Sequence, residues 1–184
     1  MRIIAGDARG RRLADVGKGD TVAQLRPTSD RVRESLFSML HSMDVLEGAE
    51  VLDLFAGTGA LGLEALSRGA ASARFVENGR PALALLDRNI GLVGVDDRAK
   101  VLRRDATQLG AVQGTPASLV FLDPPYSRAL GEAALGSAIS GGWLAKDAVI
   151  VWEESAAIIP PRGCAQLDRR RYGDTQITLL KWGG

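Results

Sequence analysis

The sequence predicts an α/β fold, with a doubly wound and mostly parallel sheet that ends in an antiparallel hairpin. Short apolar runs alternate with helical patterns from residue 50 onward, which is typical of parallel strands covered by helices on both faces. A glycine-rich turn joins the first of these runs to a helix, and the last apolar stretch folds back around Tyr172-Gly173-Asp174. The chain has 184 residues, of which 46% are hydrophobic, enough to bury the core of one domain.

Two elements precede the glycine-rich turn. The stretches RIIAG and GRRLADV predict two short strands around a turn that contains glycine. After Pro27, either Thr28 or Ser29 is a candidate N-cap for a helix of residues 28–43. The apolar residues of this helix recur at the helical period: Val32, Leu36, Leu40 and Met43. We therefore divide the chain into a basic N-terminal hairpin extension, residues 1–27, and a main domain, residues 28–184.

The rest of the chain predicts five strands, three helices and a final hairpin. The strands are EVLDLF, SARFVE, AKVLRRD, ASLVFLD and AVIVWEE. One helix runs from Gly59 to Ser67 and is ended by Gly69, a second runs from Pro81 to about Asn89, and a third spans ALGEAALGSAI. The hairpin is AQLDRRRYGDTQITLLKW, which places antiparallel strands at one edge of the sheet.

Composition excludes several classes of protein. The sequence has no apolar run near 18 residues and no basic-then-apolar leader at Met1, so we expect a soluble cytoplasmic protein without membrane contact. Its one cysteine, Cys164, excludes an internal disulfide, and we expect it on an edge strand or buried. With one histidine, His41, we expect no metal site and no Cys–His or Ser–His catalysis.

Positive charge is concentrated near the N-terminus. Residues 1–33 carry a net charge of +4, against −3 for the remainder, and form a basic arm. Such an arm is typical of a surface that holds RNA phosphates, and a solvated N-terminus is the alternative. One of the arginines could instead pair with Asp30 or Glu34 and serve the fold. The basic residues of the arm are Arg2, Arg9, Arg11, Arg12, Lys18, Arg26, Arg31 and Arg33.

The stretch LDLFAGTGALG carries a GxGxxG pattern formed by Gly57, Gly59 and Gly62. Glycine allows a tight turn and a close approach of the backbone to a ligand, and the start of the next helix offers unpaired N–H groups. Ligands of doubly wound sheets bind outside the carboxyl ends of the strands, where the strand order reverses. The pattern therefore predicts a cofactor site, and by itself it is compatible with a dinucleotide.

Three acidic residues at successive strand ends distinguish between cofactors. Asp53 would repel a pyrophosphate and attract the cationic amino group of a cofactor such as S-adenosylmethionine. Glu77 stands 18 positions after Gly59, where an acid accepts hydrogen bonds from ribose hydroxyls, and Asp105 is placed to accept from an adenine amine. The set favours a cationic cofactor without phosphates. The alternative is that Asp53 and Asp105 only cap turns.

The second motif is Asp123-Pro124-Pro125-Tyr126, after the fourth predicted strand. Prolines fix the backbone and remove N–H donors, so this stretch presents acceptors, namely the Asp123 carboxylate and the Pro124 carbonyl. Two acceptors match the two N–H groups of an exocyclic base amine, and Tyr126 is placed to stack on the base. The motif predicts transfer to a base amine, and its alternative is a rigid turn followed by a surface tyrosine.

Together the two motifs resemble those of class I S-adenosylmethionine-dependent amino-methyltransferases. The stretches MRIIAGDARGRRL, LRPTSDRVRESLFSML, DLFAGTGALGLEALSRGA and VFLDPPY also resemble the bacterial RsmD family, in order and over nearly the whole chain. That family methylates N2 of one guanine in 16S ribosomal RNA. The resemblance implies a seven-stranded methyltransferase sheet with the hairpin extension as an appendage. The departures, a long loop between Leu13 and Arg26 and the stretch DRRRYGD, lie away from the predicted chemistry.

The resemblance also implies a role for each site residue. Those implied for S-adenosylmethionine are Asp53, Phe55, Ala56, Gly57, Gly59, Glu77, Asp105 and Ala106. Those implied for the target guanine are Asp123, Pro124, Pro125 and Tyr126. Those implied for RNA phosphates are Arg2, Arg9, Arg11, Arg12, Arg26, Arg31 and Arg33. The implied partner is 16S rRNA within the 30S subunit, contact with ribosomal proteins stays open, and we expect a monomer.

Three other functions are compatible with parts of the sequence. A DNA or other RNA amino-methyltransferase, such as one acting on N6 of adenine, would explain both motifs, although a DNA enzyme usually needs an extra domain to read sequence. An NAD-dependent oxidoreductase would explain the glycine pattern and Glu77 but not the motif at residues 123–126. A non-enzymatic RNA-binding module would explain the basic arm only.

Overall fold

The computed structural model describes residues 1–15, 29–125 and 129–184. The strands are β1 (Glu50–Leu54), β2 (Ser72–Glu77), β3 (Ala99–Arg103), β4 (Ala117–Leu122), β5 (Leu144–Glu154), β6 (Cys164–Tyr172) and β7 (Thr175–Trp182). The helices are α1 (Asp30–Ser42), α2 (Ala60–Ser67), α3 (Arg80–Val93) and α4 (Leu130–Ser140), with a short 3-10 helix at Ala106–Gln108.

The seven strands form one sheet in the order β3-β2-β1-β4-β5-β7-β6. Strands β1 to β5 are mutually parallel, and β7 runs antiparallel to both β5 and β6. The predicted α/β class and antiparallel C-terminal hairpin are confirmed. The strand order reverses between β1 and β4, where doubly wound sheets open a crevice. Leu54 is aligned with Val76 of β2 and Leu122 of β4. The residues that follow them, Phe55, Glu77 and Asp123, therefore meet at the carboxyl edge of the sheet.

Helices cover both faces of the sheet. Helices α1, α2 and α3 pack on one face, where the ring centroids of Phe37 and Phe121 lie 5.7 Å apart. Helix α4 and the 3-10 helix pack on the other face, around Trp143 and Trp152. In the part of the chain that the structure describes, no helix is long and apolar enough to cross a bilayer. The two packed faces hold the carboxyl edge of the sheet in a fixed position.

Helix α1 begins after Ser29, one of the two predicted N-caps. The Ser29 hydroxyl accepts a hydrogen bond from the N–H of Val32 at 3.3 Å, which satisfies one donor of the first turn. Asp30 stands in that first turn, where a negative charge interacts favourably with the helix dipole. Local sequence therefore sets the start of this helix.

The N-terminal hairpin is tighter than predicted. A single antiparallel bridge between Arg2 and Arg12 replaces the two expected strands. Turns fill residues 5–10, and Gly6 takes a positive φ of 81°, so little chain is left for a ladder. We call residues 1–15 the N-terminal segment; the rest of the predicted extension lies outside the described residues. Three of its apolar residues are buried in the main core: Ile3, Ala8 and Leu13.

Candidate active site

The glycine turn, residues 55–59, joins β1 to α2 beside the crevice. Phe55 has a φ of 60°, an uncommon backbone conformation for a residue with a side chain, and Gly57 and Gly59 also have positive φ. A Cβ on Gly59 would lie 2.5 Å from Cδ1 of Leu86, so another residue at this position would also have to displace that buried side chain. The turn places the start of α2 beside the crevice, where helix geometry leaves the first N–H groups without partners within the helix.

Asp53 is a buried carboxylate beneath this turn. Its side chain belongs to β1, the residue is 2% exposed, and Oδ2 accepts a hydrogen bond from the N–H of Gly62 at 2.9 Å. The pKa of Asp53 is raised from 3.8 to about 8, chiefly because the carboxyl is buried. The hydrogen bond from Gly62 lowers the pKa, and the negative charge of Glu77 raises it. A cation bound beside Asp53 would offset the cost of its buried charge.

Glu77 ties the glycine turn to β2. Its Oε2 accepts the N–H of Gly57 at 2.9 Å, and its Oε1 accepts the N–H groups of Asn78 and Gly79 at 2.9 and 2.7 Å. Three backbone donors therefore fix the carboxylate at the carboxyl end of the strand. Since a carboxylate has about four acceptor sites, one remains for a ligand hydroxyl.

Asp105 caps the 3-10 helix that follows β3. Its Oδ1 accepts both the N–H and the hydroxyl of Thr107, at 2.8 and 2.7 Å. The alternative that Asp105 caps a turn is therefore observed. Both described bonds use Oδ1, and the next residue, Ala106, is buried. A contact of Asp105 with adenine stays a prediction.

Asp123 follows β4 at the same carboxyl edge as Asp53. Asp123 is half-buried, Pro124 is buried and Pro125 is exposed, whereas Tyr126 lies outside the described residues. The N–H of Asp123 donates to the carbonyl of Leu54 in β1 at 3.5 Å, which keeps the start of the motif beside that strand.

Burial raises the pKa of Asp123 well above its ordinary value, and the charges of Glu153, Asp53 and Glu154 raise it further. In the free protein this carboxyl binds its proton far more tightly than an exposed aspartate does. Ionisation becomes easier when positive charge enters the crevice.

Sequence reasoning missed the acids of β5. Glu153 and Glu154 end this strand, which is aligned with β4 through Leu122 and Trp152. Glu153 is 5% exposed. The signal was available, because both acids end a predicted parallel strand and such ends meet at one edge.

The arginines predicted to contact RNA differ in their contacts and exposure. Arg11 serves the end of α3, because its Nη1 donates to the carbonyls of Leu92 and Val93 at 2.7 and 3.1 Å. Arg26 lies outside the described residues. Arg11 is itself exposed, and the other exposed members are Arg2, Arg9, Arg12 and Arg31.

Arg33 requires a correction, because it is completely buried. Its Nη2 donates to Oδ1 of Asp30 at 2.7 Å and to the Arg2 carbonyl at 2.6 Å, and its Nη1 lies 3.8 Å from Oε2 of Glu64. A guanidinium enclosed in this way does not reach an RNA phosphate. Arg33 is therefore the arginine to which the alternative applies, because it pairs with Asp30 and serves the fold.

The residues of possible metal or thiol chemistry lie apart from the crevice. Cys164 is half-buried on the edge strand β6, as predicted, and His41 is exposed on α1. Within residues 1–15, 29–125 and 129–184, no three His, Cys, Asp or Glu side chains are placed to hold a metal ion.

Comparison with known proteins extends over nearly the whole chain. The model of the family described as Conserved hypothetical protein 95 matches residues 1–181. Ribosomal RNA small subunit methyltransferase D of Escherichia coli K12 is 43% identical over 153 residues, which are 83% of this chain and 74% of that protein. The Haemophilus influenzae protein of the same name is 35% identical over 186 residues, 98% of this chain and 93% of that protein. The solved structure of yhhF from Escherichia coli superposes with a TM-score of 0.83, at 37% identity, over 100% of this chain and 98% of that chain.

Proposed function

The chain belongs to the RsmD family of methyltransferases, and from this membership we propose that it transfers a methyl group from S-adenosylmethionine to N2 of one guanine in 16S ribosomal RNA. The observation that carries the proposal is the carboxyl edge where buried Asp53 and half-buried Asp123 interact electrostatically. One acid suits a cationic cofactor and the other suits an amine substrate. The relatives whose names specify small subunit ribosomal RNA support the choice of substrate.

The residues around the glycine turn fit a cationic cofactor. The raised pKa of Asp53 reflects a buried carboxyl that positive charge would stabilise in its ionised form. A pyrophosphate would add negative charge beside Asp53 and Glu77, which argues against a dinucleotide. When bound, S-adenosylmethionine supplies a methyl group on a positively charged sulfur that is already activated for transfer.

Each residue at the edge has a proposed part in holding the cofactor. Asp53 holds the amino group, and Glu77 uses its remaining acceptor site for the ribose. Asp105 and Ala106 hold the adenine. The turn residues that line the methionine end are Phe55, Ala56, Gly57 and Gly59.

Asp123 and the carbonyl of Pro124 accept the two N–H groups of the guanine amine. Hydrogen bonds from both N–H groups oppose delocalisation of the nitrogen lone pair into the ring, which frees that pair for attack. The raised pKa of Asp123 makes its carboxylate a better proton acceptor than an ordinary aspartate. Tyr126 stacks on the base. The remaining contribution of the protein is proximity and orientation of the two reacting groups.

The exposed arginines of the N-terminal region supply sequence-independent contacts to phosphates, which position the RNA without reading its bases. In this proposal residues 1–27 are an RNA-binding extension of the methyltransferase domain, residues 28–184. The protein acts as a monomer on 16S rRNA within the 30S subunit, in the cytoplasm.

Calorimetry with two ligands tests the cofactor half of the proposal. The purified protein should release heat on binding S-adenosylhomocysteine and give none with NAD. Asp53→Ala should weaken adenosylhomocysteine binding severely, because it removes the charge that balances the amino group. Tight binding of NAD without any heat from adenosylhomocysteine would end the methyltransferase assignment.

A further inference from the structure

Asn89, on α3, is completely buried, and its side-chain amide touches two distant parts of the chain. Its Oδ1 accepts the N–H of Ala14 at 2.7 Å. Its Nδ2 donates to the carbonyl of Ala14 at 3.1 Å and to the carbonyl of Thr58 at 2.9 Å. Ala14 belongs to the N-terminal segment, and Thr58 stands between the two glycines of the glycine turn.

These three bonds fix the orientation of the amide. Both N–H groups of Asn89 face carbonyls, and its oxygen faces an N–H. Exchange of the oxygen and nitrogen positions would set the oxygen against two carbonyls and the NH₂ group against the N–H of Ala14. The contacts therefore select one arrangement, and aspartate or leucine at this position would not reproduce it.

The bond to Thr58 shapes the glycine turn from the protein interior. It fixes the carbonyl of the peptide between Thr58 and Gly59, and the N–H of the same peptide donates to the carbonyl of Ala56 at 2.7 Å. With both ends of this peptide held, the turn keeps the conformation in which Gly59 has a φ of 78°.

The N-terminal segment is also attached to α2, the helix that starts at the glycine turn. Buried Glu64 accepts the N–H groups of Ile4 and Ala5 at 2.8 and 3.0 Å. The hydroxyl of Ser67 accepts the N–H of Ala8 at 3.0 Å. Helix α2 thus holds the beginning of the N-terminal segment, and Asn89 joins the end of that segment to the glycine turn.

We propose that Asn89 is a positioning residue that couples the N-terminal segment to the glycine turn, so that cofactor affinity depends on the backbone contact with Ala14. The inference rests on the proposed cofactor site. It assigns the N-terminal segment a second task beyond RNA contact, because a change at Ala14 reaches the turn through one side chain.

Two variants separate this coupling from simple loss of structure. Ala14→Pro removes the N–H that Oδ1 accepts and leaves Asn89 and Thr58 intact. Asn89→Ala removes all three bonds. We expect Ala14→Pro to weaken adenosylhomocysteine binding about fivefold and Asn89→Ala about twentyfold, whereas Arg88→Ala, an exposed neighbour on α3, should match the wild type. The double variant should bind no more weakly than Asn89→Ala alone, because both changes act through one contact.

A second measurement needs no cofactor. In Asn89→Ala the amide hydrogen of Ala14 should exchange with solvent at least about tenfold faster than in the wild type, because its acceptor is gone. If Asn89→Ala does not fold, Ala14→Pro alone decides. Unchanged affinity in a folded Ala14→Pro variant would overturn the coupling while leaving the proposed function intact. A wild-type protein that binds no adenosylhomocysteine would overturn both.

Discussion

The N–H of Gly62 donates a 2.9 Å hydrogen bond to Oδ2 of Asp53 across the turn between β1 and α2. Gly59, the N-cap of α2, has no side chain to satisfy a donor of the first turn, and Asp53 does so from the neighbouring strand. The contact needs glycine at position 62, because a Cβ there would lie 2.4 Å from Cε1 of Phe75. Asp53 therefore caps the helix and carries the charge proposed to hold the cofactor.

Replacing Asp53 with Asn should separate these two tasks. The amide oxygen keeps the bond to Gly62 without the charge, so adenosylhomocysteine binding should be lost. The folded-state pKa of Asp53 is raised from 3.8 to about 8, so its ionisation lowers the free energy of unfolding as pH rises from about 4 to 8. Asp53→Asn should therefore melt at least about 3 °C higher than the cofactor-free wild type at pH 8, with a smaller gain at about pH 5. A lower melting temperature at pH 8 would contradict the assignment.

Asp123→Ala should abolish methyl transfer and leave adenosylhomocysteine affinity within about threefold of the wild type, because the carboxylate is proposed to face the base. The wild-type kcat/KM should rise with pH through a limb above the ordinary range of aspartate, since burial raises the pKa of Asp123 and its ionised form is the stronger acceptor for an N–H group of the amine. Methyl transfer by Asp123→Ala at close to the normal rate would show that the amine is held elsewhere.

Tyr126→Ala should lose most activity, because base stacking contributes about 1–3 kcal/mol. Tyr126→Phe keeps the ring and should retain most of the rate, which makes it the matched control. Equal activity in the two variants would exclude stacking.

The arginines of the N-terminal segment should differ in what they do. Arg9 and Arg12 are exposed, so the double alanine variant should reduce the salt slope of binding to 30S particles by about 2, one for each phosphate contact. Arg11→Ala should instead lower the melting temperature, because it loses the bonds to Leu92 and Val93. Binding to 30S particles at two salt concentrations measures the slope. An unchanged slope for the double variant would show that Arg9 and Arg12 are only part of a solvated surface.

Arg33 and Arg31 provide a matched pair on α1. Arg33→Ala should destabilise the protein by about 3–5 kcal/mol, because it removes one partner from a buried ion pair. Arg31→Ala, at an exposed site, should leave stability nearly unchanged and weaken RNA binding. Urea unfolding measures the first effect, and wild-type stability of Arg33→Ala would contradict the buried network.

The sequence predicts much of this fold because its strands are apolar runs with clear ends. The predicted strand SARFVE coincides with β2, and the turn at residues 172–174 was correctly placed. Helix α3 continues to Val93, four residues beyond the predicted end, because Gly94 at a φ of 74° provides its C-cap. Strand β5 begins at Leu144, where it pairs with Ala117 across a register shift that local pattern does not show.

The candidate site was less completely predictable, for a physical reason. The acids at the strand ends follow from the rule that parallel strands present one edge, and that edge brings Asp53, Glu77 and Asp123 together. Asn89 and Arg33 make contacts with residues 31 to 75 positions away, such as Ala14 with Asn89 and Arg2 or Glu64 with Arg33. No local pattern distinguishes such buried polar side chains from exposed ones on the same helix.

Methyl transfer to ribosomal RNA tests the proposed activity directly. Purified protein is incubated with labelled S-adenosylmethionine and 30S particles from a strain that lacks the enzyme, and the modified nucleotide is then mapped. We expect label on N2 of one guanine of 16S rRNA, with none for Asp123→Ala. Label on N6 of an adenine, or no label in 16S rRNA while another nucleic acid accepts the methyl group, would contradict it.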